Sequence, residues 1–232
     1  MKQATRVLAA LSIVSIGLLW VPSVQAQDTA TPAATRGTSR CEITIDTSQS
    51  PDLKDWADKL RPVVEKWYPI IVAYLPSDGY TAPRKFTITF KKMDGIAYTS
   101  GTDIVCAEAW FKAHPGDQGA VIHEMVHIVQ QYKSRDNPGW LVEGVADYIR
   151  WFKYEPATKR PHLNSARAHY NDSYQTTAAF LEFVAAHYDH EIAVRMSEAM
   201  REGRYTPALW TDYTGKTPED LWSEYVQTLT KT

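Results

Sequence analysis

Cysteine is scarce in this chain: two in 232 residues are too few for a disulfide-built scaffold, so the fold must rest on a buried core. A chain of this length is long enough to bury one. A basic excess is also missing, since 25 Lys and Arg stand against 27 Asp and Glu. With nothing to neutralise a phosphate backbone, nucleic acid is not an expected partner. Beyond the first 26 residues no segment has the roughly 20 consecutive apolar residues that a membrane span needs. Internal repeats are absent as well.

The start of the chain has a different composition. Lys2 and Arg6 precede an apolar stretch from Val7 to Val21, and Val24-Gln25-Ala26 ends it in the manner of a signal-peptidase site. About 15 apolar residues are short for a span. Residues 1–26 are therefore expected to be a secretory signal cleaved after Ala26, and the mature protein to be secreted or periplasmic, off the membrane and monomeric. Loss of Lys2 and Arg6 takes the formal charge from −2 to −4. Residues 27–40, rich in Thr, Ala, Pro and Ser without an apolar period, read as a flexible linker ahead of one folded domain at 41–232. In an oxidising compartment the isolated pair Cys41 and Cys106 is expected to form a structural disulfide closing a long loop, with two buried free thiols as the alternative.

Short alternating segments at Cys41–Asp46 and Lys85–Phe90 predict strands, the second with Phe86, Ile88 and Phe90 on one face. Residues 103–110 predict a third. Leu53 to Leu75 carries apolar residues at helical spacing, with Pro69 placed to kink or end the helix. Further helices are predicted at Gln118–Tyr132, with Asp117 as its cap, and at Leu141–Phe152, Tyr174–His187, Glu191–Arg201 and Pro218–Leu229. Strands first and helices after give an α+β class: a small N-terminal mixed sheet packed on a helix, followed by a mostly helical part.

His123-Glu124-Met125-Val126-His127 lies inside the Gln118–Tyr132 helix. Spacing of i,i+4 stacks the two imidazoles on one face about one turn apart, where both can ligate one zinc ion. Glu124 is placed to reach a metal-bound water as general base without joining the ligands. Its flanks are apolar nearly all round, which predicts burial, and a buried His-Glu-His trio calls for a cation. Catalytic zinc wants a third protein ligand, and Glu143 in the downstream Trp140–Tyr148 segment is the candidate. Asp147, one turn on, is placed to accept the second N–H of a ligand histidine. His114, His162, His187 and His190 lack ligand spacing and read as surface or packing residues.

HEMVH followed by WLVEGVADY resembles the gluzincins, thermolysin and the zinc aminopeptidases among them, through Trp140, Leu141, Glu143, Gly144 and Ala146. The segments HPGDQGAVIHEMVHIVQ, PGWLVEGVADYIR, SYQTTAAFLEFV and TGKTPEDLWSEY resemble the plant basic secretory protein family and its bacterial relatives, though this chain is mildly acidic. That resemblance implies a zincin-like fold, one zinc per chain and cleavage of peptide or protein substrates. Ser173-Tyr174, opening the apolar helix TTAAFLEFV, resembles the helix that bears the oxyanion-stabilising tyrosine of zinc aminopeptidases, which implies Tyr174 as the oxyanion donor, with an interfacial or core packing role as the alternative and His169 and Tyr170 as competitors. The zincin architecture implies segment 103–110 as the strand whose edge receives the substrate. A specialist for glycopeptides or cell-wall peptides is a second reading. A secreted binding or defence protein without turnover is a third, and an intact Glu124 argues against it.

Overall fold

The structure, a computed structural model, describes residues 41–134, 136–158, 163–164 and 166–229. The expected signal at 1–26, the linker at 27–40 and His162 lie outside them.

Among the described residues the chain is α+β, with four strands and eight helices. Strand β1 (Glu42–Asp46) leads through a 3-10 turn at Pro51–Leu53 into α1 (Lys54–Tyr74) and then β2 (Lys85–Lys91). A hairpin of β3 (Ala97–Ser100) and β4 (Asp103–Ala107) follows, then α2 (Glu108–Ala113) and α3 (Gly119–Gln130). The remainder is helical: α4 (Gly139–Tyr148), α5 (Tyr174–His187), α6 (Ile192–Arg201), α7 (Ala208–Thr214) and α8 (Pro218–Leu229). Helix α4 runs on as a π-helical stretch, Ile149–Tyr154.

The sheet order is β1-β2-β4-β3; β1, β2 and β4 are parallel, and β3 runs antiparallel to β4. Phe86, Ile88 and Phe90 are fully buried on one face of β2, as period-two alternation requires. In β4 the alternation fails because Ile104, Val105, Cys106 and Ala107 are all buried, the pattern of an interior strand covered on both faces. The expected strand at 103–110 is thus corrected twice. It ends at Ala107, where α2 begins, and it is not the edge; the edge beside α3 is β3. Gly101, at φ +61°, supplies the left-handed backbone for the two-residue β3–β4 turn.

The expected disulfide is also corrected: both thiols are free. Cys41 precedes Glu42, which faces Lys85, whereas Cys106 faces Phe90. About six residues of offset along the strands is roughly 20 Å, far beyond the reach of a disulfide. Cys106 lies sealed in the core, where burial pushes its thiol up.

Helix α1 passes through Pro62 and Pro69 without ending, burying Leu60, Val64 and Ile71. Helix α3 is buried nearly all round, and Ala120 N–H at its start is capped by Asp117 Oδ1 at 3.1 Å. Helix α4 lies close on α5 because Gly144 has no side chain: a Cβ there would stand 2.2 Å from Thr177 Cγ2. No helix of the described residues is long and apolar enough to cross a membrane.

Candidate metal centre

His123 and His127 project from α3 one turn apart, and Glu143 meets them from α4. Their ligand atoms lie within 4.8 Å of one another and form a group that can hold a metal ion. His123 Nε2 is 3.1 Å from His127 Nε2, and Glu143 Oε2 is 3.2 Å from the first and 3.4 Å from the second. Further along, Gln130 Nε2 donates to Val142 O at 3.0 Å. Position 123 thus meets 147, 127 meets 143 and 130 meets 142, so the two helices run in opposite directions at the site.

The outer nitrogens of both rings are already engaged. His123 Nδ1 lies 2.7 Å from Asp147 Oδ1, with both side chains buried, and His127 Nδ1 lies 2.6 Å from Gln130 Oε1. Those oxygens are acceptors, so each Nδ1 carries a proton, and a ring that is neutral turns the lone pair on its Nε2 inward. Two lone pairs and a carboxylate oxygen then converge with no donor among them. A positive charge is what such a cluster lacks.

The electrostatics agree. Burial opposes a charge on His123, but hydrogen bonds to Asp147 and Glu143 overcome it and raise its pKa to about 9. Burial likewise opposes ionisation of Glu143, yet His123 and His127 bring it down to about 2. The pocket draws cationic charge onto the atoms that face each other.

Glu124 is buried beside this group and takes no part in it. Its Oε2 accepts a hydrogen bond from Thr99 Oγ1 at 2.7 Å, reaching across from β3. A cleft opens over the cluster, walled by β3 (Ala97, Tyr98, Thr99), by α3 and α4, and by Ser173 and Tyr174 where α5 begins.

Tyr174 is 54% exposed and its ring stacks on His123, centroids 6.1 Å apart and planes at 24°. The charge of Glu143 comes first, and burial second, in raising its pKa. Ser173 (φ +67°, ψ 178°) and Tyr174 (φ +48°) both have positive φ, which costs a non-glycine residue about 1–3 kcal/mol. Strain of this kind is characteristic of functional sites, and here it turns the tyrosine over the cleft. The two competitors lie elsewhere. Tyr170 is buried and donates its hydroxyl to Glu219 at 2.7 Å, while His169 bonds Asn171 at 2.7 Å and packs against Trp222.

Sequence reasoning missed two residues that touch the site. Thr99 had no readable signal, since nothing in a four-residue strand announces contact with a helix 25 positions on. Gln130 did: three positions after His127, it shares that residue's helical face.

A family model described as Peptidase of plants and bacteria matches residues 27–225, a span that contains every residue of this site. Comparison with curated proteins and with solved structures gave no match. The chain therefore belongs to the basic secretory protein family, peptidases of plants and bacteria.

Proposed function

We propose that this chain is an exported zinc peptidase of the gluzincin type, on a zincin-like fold, with His123, His127 and Glu143 as the zinc ligands and Glu124 as the general base. The observation that carries the reading is the convergence of three potential ligand atoms beside a buried carboxylate that is not one of them.

The donor set suits zinc. A tetrahedral ion with bonds of about 2.0–2.1 Å holds its ligand atoms about 3.3 Å apart, leaving a fourth position open. The separations of 3.1, 3.2 and 3.4 Å lie around that value. Two imidazoles and one carboxylate are also a known catalytic zinc set. When bound, the ion supplies Lewis acidity to a water and to the scissile carbonyl.

The remaining work falls to the chain's own groups. Glu124 takes a proton from the attacking water and returns it to the leaving amine. Asp147 and Gln130 hold the two ligand rings in the tautomer that presents Nε2. Tyr174 donates its hydroxyl to the oxyanion that develops on the carbonyl.

Substrate placement follows from the hairpin. Ala107 N–H donates to Ile96 O at 2.8 Å, so by antiparallel alternation Tyr98 and Ser100 also turn their backbone groups to β4. Ala97 and Thr99 then direct N–H and C=O to the open edge. An extended peptide can add to β3 there, its main chain held and its side chains alternating.

Digestion of a peptide library by the zinc-loaded protein, against a Glu124→Gln control, tests the reading. Internal cleavage that is lost in the control supports it; absence of cleavage by the loaded protein contradicts it.

A further inference from the structure

Thr99 occupies two positions at once. Its backbone N–H and C=O are among those turned to the open edge of β3, while its side chain faces α3, on the face where its neighbours across the ladder, Ile104 and Cys106, are fully buried. The hydroxyl lies 2.7 Å from Glu124 Oε2 and 3.0 Å from the Glu124 backbone oxygen. It has one proton to give, and the charged oxygen at the shorter distance is the stronger acceptor. Among the described residues no group hydrogen-bonds Glu124 Oε1, so one carboxylate oxygen is tied to the strand and the other is free.

We propose that Thr99 is the positioning residue for the general base, holding Glu124 by one oxygen while its own backbone binds the substrate. The inference rests on Glu124 being the base and adds the residue that places it. Threonine suits the task because its branched Cβ is stiff, so the hydroxyl direction follows the strand backbone. A peptide that settles on β3 therefore also settles the carboxylate that must reach the water. The Thr99 proton is not transferred: Oε1 receives the proton from water and passes it to the amine, and the Thr99 hydrogen bond persists throughout.

The experiment compares Thr99→Val, Thr99→Ala and Thr99→Ser in the zinc-loaded full chain. Turnover, KM, zinc content and thermal midpoint are measured on one peptide substrate. Without the hydroxyl, Thr99→Val and Thr99→Ala are expected to lose about ten- to a hundredfold in kcat, as a misplaced catalytic group does, with KM within about twofold and zinc content unchanged. Thr99→Ser keeps the donor and is expected within about threefold of the parent. In a Glu124→Gln background, Thr99→Val should cost nothing more, and peptide affinity measured by calorimetry should not move.

Full kcat in Thr99→Val and Thr99→Ala, with Glu124→Gln inactive, overturns the proposal and leaves the base intact. Equal loss in Thr99→Ser, or loss of zinc along with activity in all three, overturns it in favour of a packing role. Wild-type turnover in Glu124→Gln instead removes the base reading beneath it. Should Thr99→Val not fold, the contrast between Thr99→Ala and Thr99→Ser decides.

Discussion

Asp147 Oδ1 sits 2.7 Å from His123 Nδ1, both side chains closed off from solvent, so a carboxylate on α4 fixes the tautomer of a ring on α3. Glu143 stands one turn earlier on the same helix and faces the other nitrogen of that ring, at 3.2 Å. Two acidic residues four positions apart thus take opposite sides of one imidazole.

Their substitutions should separate. Glu143→Ala removes a donor atom from the cluster and should weaken zinc binding far more than Asp147→Ala, for which about ten- to a hundredfold is expected from loss of an orienting partner. Competition against a chelator of known affinity measures both; equal losses, or the reverse order, would make Asp147 the ligand.

Zinc binding should release a proton at neutral pH. In the metal-free protein His123, raised to about 9, is protonated at pH 7, and a ligand nitrogen must give that proton up. Calorimetry in buffers of different ionisation enthalpy counts the protons, with about one per ion expected near pH 7.5. The sign for stability follows from the same shift. A histidine held above its unfolded value of 6.5 contributes stability fully below that pH and loses it as pH rises through 9. The thermal midpoint of the metal-free protein should therefore fall between pH 6 and pH 9 relative to the zinc-loaded protein. A constant difference would contradict the assignment.

Much of this site was legible because its geometry is local. An i,i+4 pair of histidines needs only a helix to meet, and burial of that helix could be read from its flanks. Glu143 followed from the ligand count. Strand β3 escaped because Ala97, Tyr98, Thr99 and Ser100 are few and only partly apolar, so their pairing is set by β4 and the Gly101 turn rather than by a pattern of their own. Thr99 escaped with it. The disulfide failed for a related reason: pairing two lone cysteines ignores register, and register places Cys41 and Cys106 at opposite ends of the ladder. Helices α2 and α7, of six and seven residues, are too short to show a period.

Gly144→Ala should destabilise the fold by about 1–3 kcal/mol, as overpacking does, because its Cβ would meet Thr177 Cγ2 at 2.2 Å. Thr177→Ser removes that methyl while keeping the hydroxyl that donates to Tyr170 O at 2.7 Å. Chemical denaturation of both single variants and the double should show the serine recovering part of the loss. Strict additivity would mean that the α4–α5 approach is not limited by this contact.

Tyr174→Phe removes one donor at the cleft mouth and leaves the ring on His123. Turnover should fall by roughly ten- to a thousandfold with KM little changed, the mark of an interaction made mainly in the transition state. Full activity in this variant would leave the tyrosine as a wall of the cleft.

The most direct measurement is zinc content and peptide turnover on the same preparations of the parent and Glu124→Gln. Glutamine keeps the size of the side chain and can still accept from Thr99, but it cannot take a proton from water. The account predicts one zinc per chain in both proteins and a loss of at least about two orders of magnitude in turnover for the variant. Wild-type turnover in Glu124→Gln, or a parent protein that binds no zinc under any loading condition, would contradict it.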